Sequence, residues 1–457
     1  MTELARAPRD TALPGTVSTS AGEELPVTTH DLLGVGLGPF GLSLAALADG
    51  VGDLDAVFLD QRPAMSWHPG LLLEGATLQV PFLADLVTLV DPTSPWSYLA
   101  YLRAHGRLFR FYLAERFQVP RAEYDDYLRW VAESLPSCRF GRRVDAVEWD
   151  GGGTDGGAFV ATVTDTATSR RSTLRARTVV LGVGTEPVVP APFADLLGKR
   201  VVHAGQYLDA RPALLEAGSV TVVGSGQSGA EVFLDLLRAQ PETGARLRWL
   251  TRTPAFAPME YSKLGLEHFT PDYTAYFHGL PEPTRDALLP AQWQLYKGIS
   301  AATITELYDL LYERTVGGRQ ADAVLQPAVA VESARAEGGG YVLDCRQVQQ
   351  DRTFSVPTDA VVLATGYAAR RPALLDPLLP LLDLDGRGRY RVDADHRVAL
   401  RCPGRLYVQN AETHTHGVGA PDLGLGAWRS ATILGAVTGR PLVDVPQQAA
   451  FTTFGAP

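Results

Sequence analysis

Two glycine patterns limit what this chain can fold into. Gly36-x-Gly38-x-x-Gly41 follows the apolar run His30-Asp31-Leu32-Leu33-Gly34-Val35, and Gly224-x-Gly226-x-x-Gly229 follows Ser219-Val220-Thr221-Val222-Val223. Each reads as a strand, a tight turn and a helix start. In this arrangement the first glycine permits the turn, the second lets the backbone approach a pyrophosphate, and the third lets helix and strand pack closely. The helix start adds unpaired N–H groups and a partial positive charge. After the first pattern an apolar helix runs from Leu42 to Ala48. The strand Ala56-Val57-Phe58-Leu59 then ends in Asp60, whose carboxylate can accept from ribose hydroxyls. The pattern alone is an ordinary turn in a chain with 45 glycines. With strand, helix and acid in place it marks a dinucleotide site. After the second pattern the strand Leu247-Arg248-Trp249-Leu250 ends in Thr251-Arg252. An arginine in place of the acid suits the 2′-phosphate of NADP; the competing reading is a solvated surface cation.

Two such sites imply electron traffic between two cofactors, in the usual arrangement FAD in the first and NADPH in the second. The expected fold is α/β, with two Rossmann-like domains, the NADPH domain inserted into the FAD domain, and a small helical substrate-binding part. The expected layout is a flexible tail over 1–29, the first part of the FAD domain over 30–200, and the NADPH domain over 201–350. The helical segment lies at 255–317, the second part of the FAD domain at 351–440, and a C-terminal tail at 441–457. The late strand at 359–364 is read as the return to the first domain. It ends in Ala364-Thr365-Gly366, a small-residue turn that can abut a flavin.

Composition narrows the function classes. A length of 457 residues fits two or three domains. A formal charge of −10 argues against broad binding to nucleic acid or anionic membranes. Three scattered cysteines, Cys138, Cys345 and Cys402, form no disulfide framework, which points to the cytoplasm. No apolar run reaches the roughly 18 residues of a membrane span, and residues 1–29 do not read as a secretory signal. The nine histidines lack paired metal-ligand spacing, so no metal site is expected.

The chain resembles the flavin-dependent N-hydroxylating monooxygenases of siderophore biosynthesis, the lysine/ornithine N-monooxygenase family. The resemblance rests on motifs in order from about residue 30 to 440. They are Gly34-Val35-Gly36-Leu37-Gly38-Pro39-Phe40, Ser66-Trp67-His68-Pro69-Gly70, Leu78-Gln79-Val80-Pro81-Phe82-Leu83 and Asp91-Pro92-Thr93-Ser94-Pro95. Tyr127-Leu128-Arg129-Trp130, Gly224-Ser225-Gly226-Gln227-Ser228-Gly229-Ala230-Glu231, Ala364-Thr365-Gly366-Tyr367 and Thr415-His416-Gly417 complete the set. The stretch from Ala257 to Leu266 is most similar to the diamine branch, the cadaverine N-hydroxylases of desferrioxamine-type pathways.

The resemblance implies a mechanism. NADPH reduces FAD, the reduced flavin takes up O2 as a C4a-hydroperoxide, NADP+ stays bound, and a neutral primary amine attacks the distal oxygen. It also implies residue roles. Gly36, Gly38, Pro39, Phe40 and Asp60 contact FAD; Trp67, His68 and Gln79 lie beside the isoalloxazine; Pro421, Asp422 and Leu423 line its pyrimidine end. Gly226, Gln227, Ser228 and Gly229 hold NADPH near its pyrophosphate, with Arg252 on the 2′-phosphate. Lys297 precedes Gly298-Ile299-Ser300, placed near the nicotinamide. By the same resemblance the chain forms a homo-oligomer, a tetramer or dimer.

Two departures bear on the substrate. Amino-acid hydroxylases of the family often carry Phe-Leu-Lys-Asp-Leu, whose lysine pairs with the substrate carboxylate; here the run is Phe82-Leu83-Ala84-Asp85-Leu86. An asparagine three residues before a phenylalanine binds the same carboxylate in the ornithine enzymes; the counterpart here is Leu266, three before Phe269. Both changes remove polarity. They point to a diamine, cadaverine before putrescine, with Ala84, Leu266, Phe269 and Gly424 at the substrate. Glu267, Glu412 and Asp422 are the candidates for its distal ammonium. L-lysine or L-ornithine is the alternative substrate, with Lys263 as a substitute cation. A disulfide reductase is excluded by the lack of paired cysteines, and a non-enzymatic dinucleotide sensor is distinguished by a turnover assay.

Overall fold

The computed structural model describes residues 29–152, 156–442 and 448–456. The tail expected over 1–29 lies, apart from Thr29, outside them. The chain first builds a sheet of eight strands. Its parallel centre runs Arg405–Val408, Arg171–Leu181, Thr29–Val35, Ala56–Leu59 and Cys138–Arg139. Arg142–Asp150 and Ala158–Asp165 extend it as an antiparallel meander, and Arg397–Val398 closes the far edge. Central strands of a parallel sheet are covered on both faces and so are apolar throughout. Leu32 to Val35 and Val179 to Leu181 are buried accordingly.

The helix Pro39–Ala48 is apolar on nearly every side because the sheet lies under one face and the helix Gly426–Thr438 covers another. Helices Tyr98–Ala104 and Arg121–Ser134 pack beside it. Tyr98, Tyr101, Tyr124 and Tyr127 bury their rings there, tilted against one another with centroids 5.5–5.7 Å apart and Tyr98 edge to face with Tyr127. The Tyr127 hydroxyl finds a partner by donating to the Trp96 carbonyl at 2.6 Å.

The second sheet is wholly parallel, in the order Ala323–Gln326, Arg246–Leu250, Ser219–Val223, Ala360–Leu363, Val201–His203. Its main helix, Gln227–Thr243, buries Ala230, Phe233, Leu234 and Leu237 at helical spacing, and Phe233 stacks on Trp249 with centroids 5.1 Å apart. Each such ring removed from water contributes roughly 1.5–3 kcal/mol.

The strand at 359–364 does not return to the first sheet. Ala360–Leu363 pairs with Ser219–Val223 and Val201–His203, inside the second sheet. An all-apolar strand fits either sheet by periodicity; only pairing decides. The chain rejoins the first sheet at Arg397–Val398 and Arg405–Val408.

The strands Val329–Glu337, Gly340–Gln347 and Arg352–Thr358 form a separate antiparallel sheet. Residues 255–317 hold the helices Lys263–Leu266, Pro271–Gly279, Glu282–Ala291 and Ala301–Arg314. The described part of the C-terminal tail is docked on them: Ala449 N–H donates to Asp272, and Phe454 packs on Tyr273 and Tyr276. No helix of the described residues is long and apolar enough to cross a membrane.

Candidate active site

The two glycine turns have the same stereochemistry. Gly36 has φ +97° and Gly224 φ +121°, in the region that favours glycine. A Cβ on either would collide with a carbonyl of the neighbouring strand end, Gly182 O or Ala364 O. A Cβ on Gly41 would strike Gly36 O, and one on Gly229 would strike Gly224 O, so the third glycines let the helices close on the turns. At Gly38 nothing lies within 4 Å of that position. The middle glycine faces open space at the N-terminus of Pro39–Ala48, as a pyrophosphate requires.

Asp60 ends the second strand, as expected, but it braces the turn itself. Its Oδ2 accepts from Leu37 N at 2.8 Å and Arg62 Nη2 at 2.7 Å; its Oδ1 accepts from Arg62 N and Nε. Burial pushes its carboxyl up, but these bonds and the Arg62 charge outweigh it and hold it below the usual range.

The loop from residue 66 to 86 comes between the two glycine turns. Trp67 donates its N–H to Asp125 at 2.6 Å and sets its ring against Tyr124. His68 adopts φ +50° at the start of the turn Pro69–Leu71; burial, with the Arg121 charge, lowers its imidazole to about 4. It is therefore neutral at pH 7. Gln79 keeps its backbone carbonyl 3.2 Å from the Tyr261 hydroxyl, while its buried Nε2 has no partner among the described residues. The open space at Gly38 and a buried amide donor left without a partner at Gln79 each fit a part of a flavin dinucleotide, the one a phosphate and the other a hydrogen-bonding ring. Asp85 is buried and accepts from Val87 N, Thr88 N and Tyr98 N, which fixes the loop and places Ala84.

The segment 412–430 closes the other side. A Cβ on Gly424 would lie 3.9 Å from Ala84 Cβ, so the two small residues face each other. Pro421 is exposed, and Leu423 packs on the first core. The half-buried Asp422 accepts from Gly424 N at 2.7 Å, starting the turn Leu423–Leu425. Burial raises its carboxyl to about 6, against the weaker pull of Gly424 N and Arg429. It has no ion-pair partner among the described residues, and its charge adds to the burial that pushes the Tyr261 hydroxyl up to about 12. Gly424 thus faces Ala84, and Asp422 is near enough to Tyr124 and Tyr261 for its charge to push both hydroxyls up. The two tyrosines had no part in the sequence expectation.

The other two carboxylates are spent elsewhere. Glu412 is fully buried and bonded to Arg429 at 2.6 Å, and Glu267 accepts from Phe451 N and from Thr452, tying down the C-terminal segment. Leu266 and Phe269 flank that contact, Phe269 packing toward Tyr273, Phe277 and Val418. Lys263 is exposed at the start of its short helix.

On the second turn, Gln227 does not point at the nucleotide. Its Oε1 accepts from Ser300 N at 2.8 Å, and its Nε2 donates to Glu231 and Thr303, both at 3.0 Å. With both amide protons used, Gln227 offers a phosphate only its backbone, like Ser228 beside it in the first helical turn. The segment 297–300 lies against this turn. Ile299 pairs with Ala257 and Met259, and a Cβ on Gly226 would lie 3.8 Å from Lys297 O. Gly298 has no room for a side chain against Met259. Arg252 is exposed just beyond the strand Arg246–Leu250. Thr365 donates to Val188 O at 2.5 Å, which places Ala364-Thr365-Gly366 at the crossing between the sheets.

The model of the L-lysine 6-monooxygenase/L-ornithine 5-monooxygenase family matches residues 28–369. A putrescine N-hydroxylase of Shewanella oneidensis is 40% identical over 439 residues, covering 95% of this chain and 86% of the relative. The crystal structure of the FAD-bound cadaverine monooxygenase of Erwinia amylovora superposes with a TM-score of 0.90 at 40% identity, covering 94% of this chain and 99% of that one. An ornithine N-hydroxylase of a Kutzneria species, solved with reduced FAD, NADP+ and L-ornithine, gives 0.84 at 27% identity, covering 90% and 99%. The chain belongs to the L-lysine 6-monooxygenase/L-ornithine 5-monooxygenase family of flavin-dependent N-monooxygenases.

Proposed function

We propose that this enzyme hydroxylates one nitrogen of an aliphatic diamine, cadaverine first and putrescine next, as a step of hydroxamate siderophore biosynthesis. FAD takes the turn at Gly36–Gly41, and NADPH the turn at Gly224–Gly229. The observation that carries the substrate class is Asp422. A carboxylate raised to about 6 by burial, with no ion-pair partner among the described residues, is poised for an ammonium. Beside it Gly424 faces Ala84, the position at which amino-acid hydroxylases of the family often carry a lysine for the substrate carboxylate. The putrescine and cadaverine enzymes named above support the same class.

Bound FAD, with electrons drawn from NADPH, would supply the activation of O2, and O2 would be the source of the transferred oxygen atom. The chain supplies the rest. The helix start at Gly38 and its open backbone hold the phosphates, while Asp60 and Arg62 stiffen the turn. Gln79 Nε2 offers a hydrogen bond within the buried loop. His68, neutral at pH 7, adds no charge that would hold water there. Asp422 binds the distal ammonium, so the other amine points away from it, toward the flavin. That amine arrives protonated, with a pKa near 10.4, and reacts only as the free base. Desolvation in the pocket favours this neutral form. An amino-acid substrate would bring a carboxylate toward Asp422, two like charges in one buried place. Such burial costs several kcal/mol, enough for a hundredfold or greater discrimination.

The test is product mass spectrometry with cadaverine, putrescine, L-lysine and L-ornithine offered in parallel. Cadaverine is expected to lead and the amino acids to give almost no N-hydroxylated product. Lysine turning over as well as cadaverine would overturn the role given to Asp422.

A further inference from the structure

Arg121 opens the helix Arg121–Ser134, which packs on the first sheet. Glu231 lies on Gln227–Thr243, the helix of the second sheet. The two meet as a fork. Arg121 Nη2 donates to Glu231 Oε1 at 2.8 Å, and Nη1 to Oε2 at 2.9 Å. Arg121 Nη1 also donates to Leu71 O at 2.8 Å, in the loop that carries Trp67 and His68. The side chains are only 11% and 8% exposed, so water screens the pair little. From Glu231 the contacts continue through Gln227 to Ser300 N and Thr303. One chain of hydrogen bonds thus runs from the loop beside the first glycine turn to the strip 297–303 beside the second.

Resting on the function proposed above, we infer that the Arg121–Glu231 fork is a latch that sets the nicotinamide strip relative to the flavin loop. Arg121, Glu231 and Gln227 are positioning residues. They touch neither flavin nor substrate. They fix the backbone at Ser300 against which the nucleotide rests, and so set how firmly NADP+ is retained. A bidentate fork suits this task better than a point charge, because its planar geometry fixes orientation as well as distance.

Three variants of the FAD-loaded full chain test the latch. Arg121→Lys keeps the charge and loses the fork, Glu231→Gln keeps the shape and loses the charge, and Arg121→Glu with Glu231→Arg reverses the pair. The readouts are the NADP+ dissociation constant, the split between KM for NADPH and KM for diamine, and the share of NADPH electrons appearing as hydrogen peroxide. Amide hydrogen exchange at 298–303 without nucleotide is read alongside. For the single variants, NADP+ binding should weaken about fivefold or more, with faster exchange at 298–303 and more peroxide, while KM for diamine should stay near wild type. The reversed pair should recover at least part of the loss, which a merely structural fault would not. Single variants with wild-type NADP+ affinity and exchange overturn the latch. So does a loss that appears equally in diamine KM and FAD affinity. If Glu231→Gln fails to fold, Arg121→Lys carries the same test. If the wild type N-hydroxylates no amine, the proposed function fails; NADP+ affinity and exchange still decide the latch.

Discussion

The Arg429 guanidinium lies 4.4 Å from the centre of the Phe40 ring and 2.6 Å from Glu412 Oε1. A residue of the first glycine turn is thereby backed by a buried ion pair. The pair sits in a polar pocket: His396 and His416 stack 4.2 Å apart next to it, His278 lies 5.0 Å from His416, and Trp428 closes one side. Removing Arg429 leaves the buried Glu412 carboxylate with only the Ala411 N–H and His396 as partners among the described residues. Arg429→Met should cost about 3–5 kcal/mol of stability, the range for breaking a buried pair from one side. A melting temperature unchanged from wild type would show that the pair carries no weight.

The same cluster makes the fold acid-sensitive. Burial holds His396 below its ordinary value and lowers His416 to about 2; it also lowers His68, His203 and His414. The unfolded chain takes up protons at these groups below about pH 6.5 while the folded chain does not. Their contribution is therefore complete above that pH and lost as pH falls, at up to roughly 1.4 kcal/mol per unit for each. Asp422, held up to about 6, and Asp85, raised by its burial, push the other way, but they are two groups against five histidines. The urea midpoint should fall steadily from pH 7.5 to 5.5, and less steeply in His416→Asn. A flat profile sinks this reading.

Gly38 and Gly41 should separate binding from folding. Gly41→Ala drives a methyl into Gly36 O and should lower the melting temperature even without flavin. Gly38→Ala meets nothing within 4 Å, so the protein alone should melt as wild type. Its methyl enters the space meant for the pyrophosphate, and an overpacking cost of about 1–3 kcal/mol weakens FAD binding roughly tenfold. Flavin titration by fluorescence quenching reads this directly. Equal FAD affinity in Gly38→Ala and wild type would place the pyrophosphate elsewhere.

These glycines also show what the sequence made legible. A strand, a glycine turn and a helix are local, and both units stand where the pattern puts them, with matching collisions at Gly36 and Gly224. Pairing is not local. Nothing in Ala360-Val361-Val362-Leu363 distinguishes one apolar sheet from the other, and the strand was assigned to the wrong one. The same limit hid the Arg121–Glu231 fork, whose members are 110 positions apart. Among the three carboxylates proposed for the ammonium, only Asp422 lacks a protein cation or a structural duty that uses up its oxygens. Glu412 and Glu267 were indistinguishable from it until their partners Arg429 and Thr452 were in view.

Arg252 should decide between the two nicotinamide nucleotides. It is exposed past the end of its strand, where a guanidinium can meet a 2′-phosphate without moving the backbone. A charge-assisted contact of this kind contributes about 1.5–3 kcal/mol, or roughly tenfold and more in affinity. Arg252→Ala should raise KM for NADPH by that factor and leave KM for NADH nearly unchanged. Parallel losses with both nucleotides would give Arg252 another role.

Asp422 should impose its own step near pH 6 on diamine binding, in the same direction as the deprotonation that the reacting nitrogen needs. Its carboxyl titrates near 6 in the absence of substrate because burial favours the neutral acid. Above that pH it is an anion and pairs with the distal ammonium; below it the acid is neutral and the pairing is lost. KM for cadaverine should therefore rise as pH falls through about 6, approaching tenfold per unit well below it. The distal ammonium stays protonated throughout this range and adds no slope of its own. Asp422→Asn removes the titrating group while keeping an acceptor for Gly424 N, so the local turn survives. In that variant KM should be high at every pH and the step near 6 should vanish. A monoamine of the same length, such as pentylamine, should be a poor substrate of the wild type. It should lose little further in Asp422→Asn, because it has no second charge to place. If Asp422→Asn keeps the wild-type KM for cadaverine at pH 7.5, the distal ammonium is held by some other group and the assignment of Asp422 is wrong.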